Sequence, residues 1–267
     1  TQLDRRVALK VPKFDPQQDS EMMERFYREA YAAATLDHPN ICPVYDIGQH
    51  EGVPFITMAF VDGKPLSKVV RESEKLNPRV VVALVHKIAV ALSEAHEKGV
   101  IHRDLKPGNI MLNHRNEPIV MDFGLARQVE RADDRLTVDG MLIGTPGYMS
   151  PEQAEGRKMD HRSDLFSLGS VLYHCATGSP PFEGNHSTVI INRVAQGDTT
   201  SCGKLRPTLP AWLSGIIDQL LEKSPDKRPA DADELLGQIQ TRSYRRTWPI
   251  KLLSTIAALF IASVLTW

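Results

Sequence analysis

The sequence predicts an α+β protein of two lobes, a small strand-rich lobe and then a large helical one, followed by a membrane-spanning helix. Three observations predict it. Strand, helix and hairpin patterns crowd into residues 7–61. From Asp62-Gly63 onward the apolar residues recur at helical spacing. From Leu252 to Trp267 (LLSTIAALFIASVLTW) no residue is charged.

The elements follow in chain order. Val7 to Val11 (VALKV) reads as a short β-branched strand. Residues 19–35 read as a helix capped by Asp19 or Ser20, with Met22, Met23, Phe26, Ala30 and Ala33 at helical spacing. His38-Pro39-Asn40 breaks it. Ile41 to Ile47 and Pro54 to Val61 read as strands around a turn at Glu51-Gly52. Asn77 then Pro78 marks a helix start, and the stripe Val81, Leu84, Val85, Ile88, Leu92 runs to a stop at Gly99. Ile119 to Met121 reads as a strand. Further helices are predicted at 163–177, 186–196, 210–223 and 231–240.

Composition excludes several classes. Hydrophobic residues make up 42% and charged residues 24%, which rules out a disordered chain or a fibre. The net charge of −1 gives no reason to expect nucleic acid as a partner. Cys42, Cys175 and Cys202 lie far apart with no C-x-x-C, so reduced structural thiols in a cytosolic compartment are expected. There is no H-E-x-x-H, no G-x-S-x-G and no G-K-[ST] phosphate loop.

The chemistry is concentrated in two places. His102-Arg103-Asp104-Leu105-Lys106-Pro107-Gly108-Asn109 follows the long helix, and Asp122-Phe123-Gly124 follows an apolar strand. Phosphoryl transfer needs such a set: oxygens for a metal ion, a carboxylate to orient a hydroxyl, and cations for phosphates.

With these motifs in view, the sequence resembles the eukaryotic-type (Hanks-type) Ser/Thr protein kinase family, in its bacterial membrane-anchored form. The resemblance runs from Arg6 to about Arg242. Its motifs stand in the family's order: VALK, a helix Glu, HRDLKPGN, DFG, GTPGYMSPE and D-x-x-S-L-G. It implies a two-lobed kinase fold over 1–242, with the small lobe over about 1–61 and the large lobe over about 62–242. It also implies ATP and Mg²⁺ as cofactors. Lys10 would contact the α- and β-phosphates and pair with Glu29. Asp104 would orient the substrate hydroxyl, Lys106 would steady the γ-phosphate, and Asn109 and Asp122 would ligate Mg²⁺. The base would lie between Ala8 and Met111, bonded to backbone at Ala59 and Val61, with Met58 behind. His102 would pack under Phe123, Asp164 would tie the catalytic loop to the central helix, and Glu152 would pair with Arg228. Residues 125–149 would form the activation segment, with Thr145 and Tyr148 to Glu152 as substrate-docking floor. Thr137 would be a regulatory phosphosite whose phosphate pairs with Arg103.

The sequence departs from the family at one motif. No two of its 17 glycines are separated by a single residue, so the glycine-rich phosphate cover is absent. That cover belongs before VALK, and the expectation is that it lies upstream of Thr1. Residues 243–248 are expected to form a basic juxtamembrane segment, and 249–267 a single transmembrane helix cut at its C-terminal end, which places the kinase domain in the cytoplasm. The expected partners are proteins with Ser or Thr, membrane lipid, and a second copy for trans-autophosphorylation, with no nucleic acid. Two other readings compete: a pseudokinase scaffold, favoured by the absent glycines, and a small-molecule phosphotransferase, disfavoured by the long activation segment.

Overall fold

The computed structural model describes residues 6–12, 20–123 and 146–247. The small lobe is an antiparallel sheet of β1 (Val7–Lys10), β2 (Val44–His50) and β3 (Val53–Ala59), in the order β1-β3-β2. Helix α1 (Ser20–Ala34) packs on β2. The hairpin turns at Glu51 and Gly52, where φ is 49° and 82°. Two successive positive φ values match the twist of the flanking strands. Phe26, Ala30, Cys42, Ile56 and Met58 form the lobe's own core.

The first hairpin strand begins later than the expected Ile41. Pro43 has no N–H to give a ladder, and pairing starts at Val44. Ile41 makes a single parallel bridge to Val120. Cys42 N–H donates to the Val120 carbonyl (2.9 Å), and Val120 N–H donates to the Asn40 carbonyl (2.8 Å). The buried Asn40 amide donates to the Pro118 carbonyl at 2.7 Å. The helix-breaking stretch His38-Pro39-Asn40 is therefore the seam between the lobes.

A second sheet, β4 (Gly63–Pro65), β5 (Ile110–Asn113) and β6 (Pro118–Val120), lies at the top of the large lobe. Its edge strand β4 is too short to carry a sequence pattern. Helix α2 (Leu66–Ser73) follows, then α3 (Pro78–Glu97). The Asn77 side chain caps α3 by accepting from Arg79 N–H at 2.9 Å, and Gly99 follows its end at φ 72°. After α4 (Pro151–Ala154) comes α5 (Arg162–Thr177), buried along almost its whole length. A helix apolar on most sides belongs inside, and α3, α8 and the smaller α7 surround this one.

Helices α6 (Ser187–Gln196), α7 (Cys202–Leu205), α8 (Ala211–Leu220) and α9 (Ala232–Thr247) complete the described chain. Helix α9 continues past residue 240, where the apolar pattern ends, and takes in most of the expected juxtamembrane segment. Among the described residues no helix is long and apolar enough to cross a membrane. The expected span 249–267 lies outside them. The three cysteines are free and buried. Burial pushes the Cys175 and Cys202 thiols up to about 12 and Cys42 up to about 11. They stay protonated at neutral pH, as structural thiols do.

Helix α5 ends at Gly178, where φ is 89° and an added Cβ would meet the Glu74 carbonyl oxygen at 2.4 Å. Both the backbone and the space exclude a side chain here. Gly178→Ala is expected to cost about 2 kcal/mol, read as a lower midpoint in urea unfolding. An unchanged midpoint would show that the Glu74 loop yields freely.

Candidate active site

Helix α3 ends at Glu97, and the chain crosses the large lobe as His102 to Asn109 before entering β5. The loop is anchored by Asp164, in the first turn of α5 and fully buried. Asp164 accepts from His102 N–H at 2.8 Å, Arg103 N–H at 2.9 Å and His96 Nε2 at 2.8 Å. Burial alone would raise this carboxyl, but the His96 bond and charge, with His102, hold it below its usual value. It is a carboxylate at every ordinary pH. Arg103 stands at φ 68°, a left-handed conformation that a non-glycine residue keeps only when its surroundings enforce it. The Asp164 bonds enforce it.

His102 is the second fixed point. Its Nδ1 accepts from Asp104 N–H at 3.2 Å, and its Nε2 donates to the Met121 carbonyl at 2.9 Å. One ring nitrogen accepts and the other donates, which describes a neutral imidazole. The ring meets Phe123 edge-on, with centroids 4.8 Å apart. His102 therefore has both ring nitrogens engaged by backbone groups and its ring set against Phe123.

Three side chains converge beyond it. Lys106 Nζ donates to Asp104 Oδ2 at 2.6 Å, and Asn109 Nδ2 donates to the same oxygen at 3.0 Å and to the Asp104 carbonyl at 2.8 Å. Met121 N–H donates to the Asn109 carbonyl at 2.8 Å, which ties this loop to Asp122. Asp122 stands at φ 60° and accepts from Lys10 Nζ at 2.7 Å. Each acid thus has a lysine partner, one from each lobe. Glu29, the partner for Lys10 that the resemblance implies, stands half-buried on α1.

A family described as "Protein kinase domain" matches residues 1–239. The chain belongs to this family. It is 35% identical over 239 residues to the serine/threonine-protein kinase PrkC of Bacillus subtilis, covering 90% of this chain and 37% of that protein. It is 42% identical over 247 residues to the kinase pkn3 of Myxococcus xanthus, covering 89% of this chain and 45% of that protein. It is 38% identical over 241 residues to the kinase PknB of Mycolicibacterium smegmatis, covering 89% of this chain and 39% of that protein. The chain spans less than half the length of each.

The kinase domain's remaining expected residues divide as follows. Ala8, Met58, Ala59 and Val61 pack around the small-lobe core, and Met111 lies on β5, half-buried. Ala8 pairs with Met58 across β1 and β3. Ala59 N–H is taken by the Pro43 carbonyl at 3.0 Å. Thr137 and Thr145 lie outside the described residues. Glu152 and Arg228 form a two-bond pair at 2.8 and 2.9 Å, almost entirely buried. Ser163 also donates to Glu152 at 2.6 Å, and Arg228 fills its other N–H groups on the Glu222, Arg162 and Lys223 carbonyls.

Two connections were not read from the sequence. Gln153 closes a capping box with Ser150 and donates to the Arg103 carbonyl at 2.6 Å. The S-x-x-Q spacing was the available signal. His96 completes the Asp164 shell, and nothing in its helical position announces that.

Burial would raise Glu152, but Arg228 and Ser163 hold it at about 2, against an ordinary 4.5. Such a depressed acid contributes stability above its unfolded pKa and loses it as pH falls through the folded one. The expected loss between pH 4.5 and 2 is about 3 kcal/mol. Glu152→Gln is expected to be less stable at pH 7 and to lack that acid-range loss. Denaturant unfolding at several pH values checks both.

Proposed function

We propose that this chain transfers the γ-phosphoryl group of ATP to Ser or Thr hydroxyls of proteins. The observation that carries this reading is the convergence of Lys106 and Asn109 on one oxygen of Asp104, with the Lys10–Asp122 pair tied to the same loop through Met121. Asp104 keeps its second oxygen for a substrate hydroxyl, which it orients and whose proton it accepts. Lys106 neutralises charge beside it, and Lys10 supplies a point charge for phosphate oxygens.

The family uses ATP, typically with Mg²⁺, and the donor chemistry here fits that ion. Asn109 spends its amide nitrogen on Asp104, which leaves its carbonyl oxygen as a donor. Asp122 adds a carboxylate, and hard oxygen donors suit Mg²⁺. The ion supplies charge neutralisation between phosphates. Adenine is assigned to the apolar slot of Ala8, Met58, Ala59, Val61 and Met111. With the Ala59 amide already engaged, its carbonyl and the Val61 amide are the groups offered to the base edge. A Lys10–Glu29 pair, a Thr137 phosphate facing Arg103, anchoring of the cytoplasmic domain in lipid through 249–267, and trans-autophosphorylation between copies complete the proposal.

Asp104→Asn preserves the size and most hydrogen bonds of the side chain but removes the acceptor charge. Phosphotransfer to a protein substrate is expected to fall by roughly 10³-fold, with ATP binding retained. Lys10→Met is expected to lose transfer through weaker ATP binding. Radiolabel transfer and nucleotide titration check them separately. An Asp104→Asn variant of near-normal rate would end the assignment.

A further inference from the structure

A cavity of about 520 Å³ opens between the C-terminal ends of α2 and α5, and the proposed transfer uses none of its residues. Arg71 and Lys75 line it from the α2 side, and His174, Thr177 and Ser179 from the α5 side, with Glu74 its only acidic residue. The nearby acid Glu72 is already taken by Lys64 and Lys68. Arg71 and Lys75 have no ion-pair partner among the described residues.

The walls are fixed. Leu76 N–H donates to the Cys175 carbonyl at 2.9 Å. Arg206 clamps both sides by donating to the Leu76 carbonyl at 2.6 Å and the Ala176 carbonyl at 3.0 Å. Gly178 lets the Glu74 backbone approach as closely as it does.

The cavity is also one side chain away from the proposed substrate floor. Tyr148, at the start of that floor, bonds through its hydroxyl to His174 Nδ1 at 2.6 Å. Ser167 on α5 holds the Tyr148 carbonyl at 2.8 Å. Burial keeps His174 below its ordinary value, against the Gly178 backbone and Glu183, so its ring is a neutral hydrogen-bonding group at pH 7.

We propose that this cavity is a specificity subsite that takes an anionic side chain of the protein substrate, a carboxylate or a phosphate, near the acceptor residue. The proposal deepens the kinase reading and rests on it. Two unpaired cations outnumber the single acid, so an anionic residue gains charge-assisted hydrogen bonds and a Lys or Arg there meets like charge.

The test is a peptide series on the full chain, in which Glu, phosphoserine, Ala or Arg is placed in turn at each position flanking an acceptor Ser or Thr. At one position the anionic peptides are expected to exceed Ala by about 10-fold in kcat/KM, with Arg below Ala. Phosphoserine well above Glu would assign a phosphate site, and equal rates a carboxylate site. The double variant Arg71→Glu/Lys75→Glu changes only exposed side chains and is expected to reverse the order, with transfer to the Ala peptide retained. Equal rates for all peptides, or a preference unchanged in the variant, overturns the subsite and leaves the kinase reading intact. No transfer to any peptide or to the chain itself overturns the kinase reading, and the subsite with it.

Discussion

The geometry of the loop from His102 to Asn109 depends on one buried carboxylate. Asp164 accepts three hydrogen bonds at 2.8–2.9 Å, two from consecutive loop amides and one from His96. A buried ion is tolerated only when its lone pairs are filled in this way. The arrangement serves the loop as much as the carboxylate. Arg103 is held in a left-handed conformation, and Asp104, the next residue, meets Lys106 and Asn109. Replacing Asp164 by an apolar residue would leave two buried amides unpaired and release the turn. The active site would lose its shape before the fold lost its core.

The buried ion pair of Glu152 and Arg228 has a different task. Glu152 and Arg228 lie at the start of α4 and just before α9, distant in sequence and bonded twice. Arg228 spends its remaining donors on three carbonyls and lies 4.9 Å from the Phe166 ring centre. It therefore gathers the 222–228 turn and the start of α5 under the segment that begins at Ser150. Gln153, one residue on, reaches the Arg103 carbonyl. The floor on which a substrate would lie and the loop that would act on it are thus joined by a short chain of hydrogen bonds, not by packing alone.

Much of this was legible in the sequence, and the reasons are local. Asn77-Pro78 and Gly99 bound α3 because capping is a matter of neighbouring residues. The motif residues Asp104, Lys106, Asn109 and Asp122 come together because loop and strand are short and adjacent. The His102–Phe123 contact and the Glu152–Arg228 pair were implied by family resemblance, and periodicity alone could not have produced them. Long-range effects hid the rest. Strand β4 exists because β5 lies beside it, since Gly63–Pro65 has no pattern of its own. Ile41 looks like strand and is not, because Pro43 interrupts the ladder and Val120 captures its neighbour Cys42. Lys10 reaches Asp122 across 112 residues, a pairing no spacing rule anticipates.

Helix α5 ties these parts into one reference frame. Asp164 in its first turn holds the loop that begins at His102, Ser167 one turn later holds the Tyr148 carbonyl, and His174 near its end holds the Tyr148 hydroxyl. Asp164 and His174 are separated by about 15 Å of helix axis at 1.5 Å per residue. The helix is buried on most sides and cannot bend or slide without disturbing α3, α7 and α8. The distance between the loop and the cavity at its far end is therefore set by a rigid element shared by both. On the proposed reading, a substrate held at that far end would meet Asp104 at a distance that side-chain motion in the loop does not determine. Specificity and chemistry would then be coupled by the covalent geometry of a single helix.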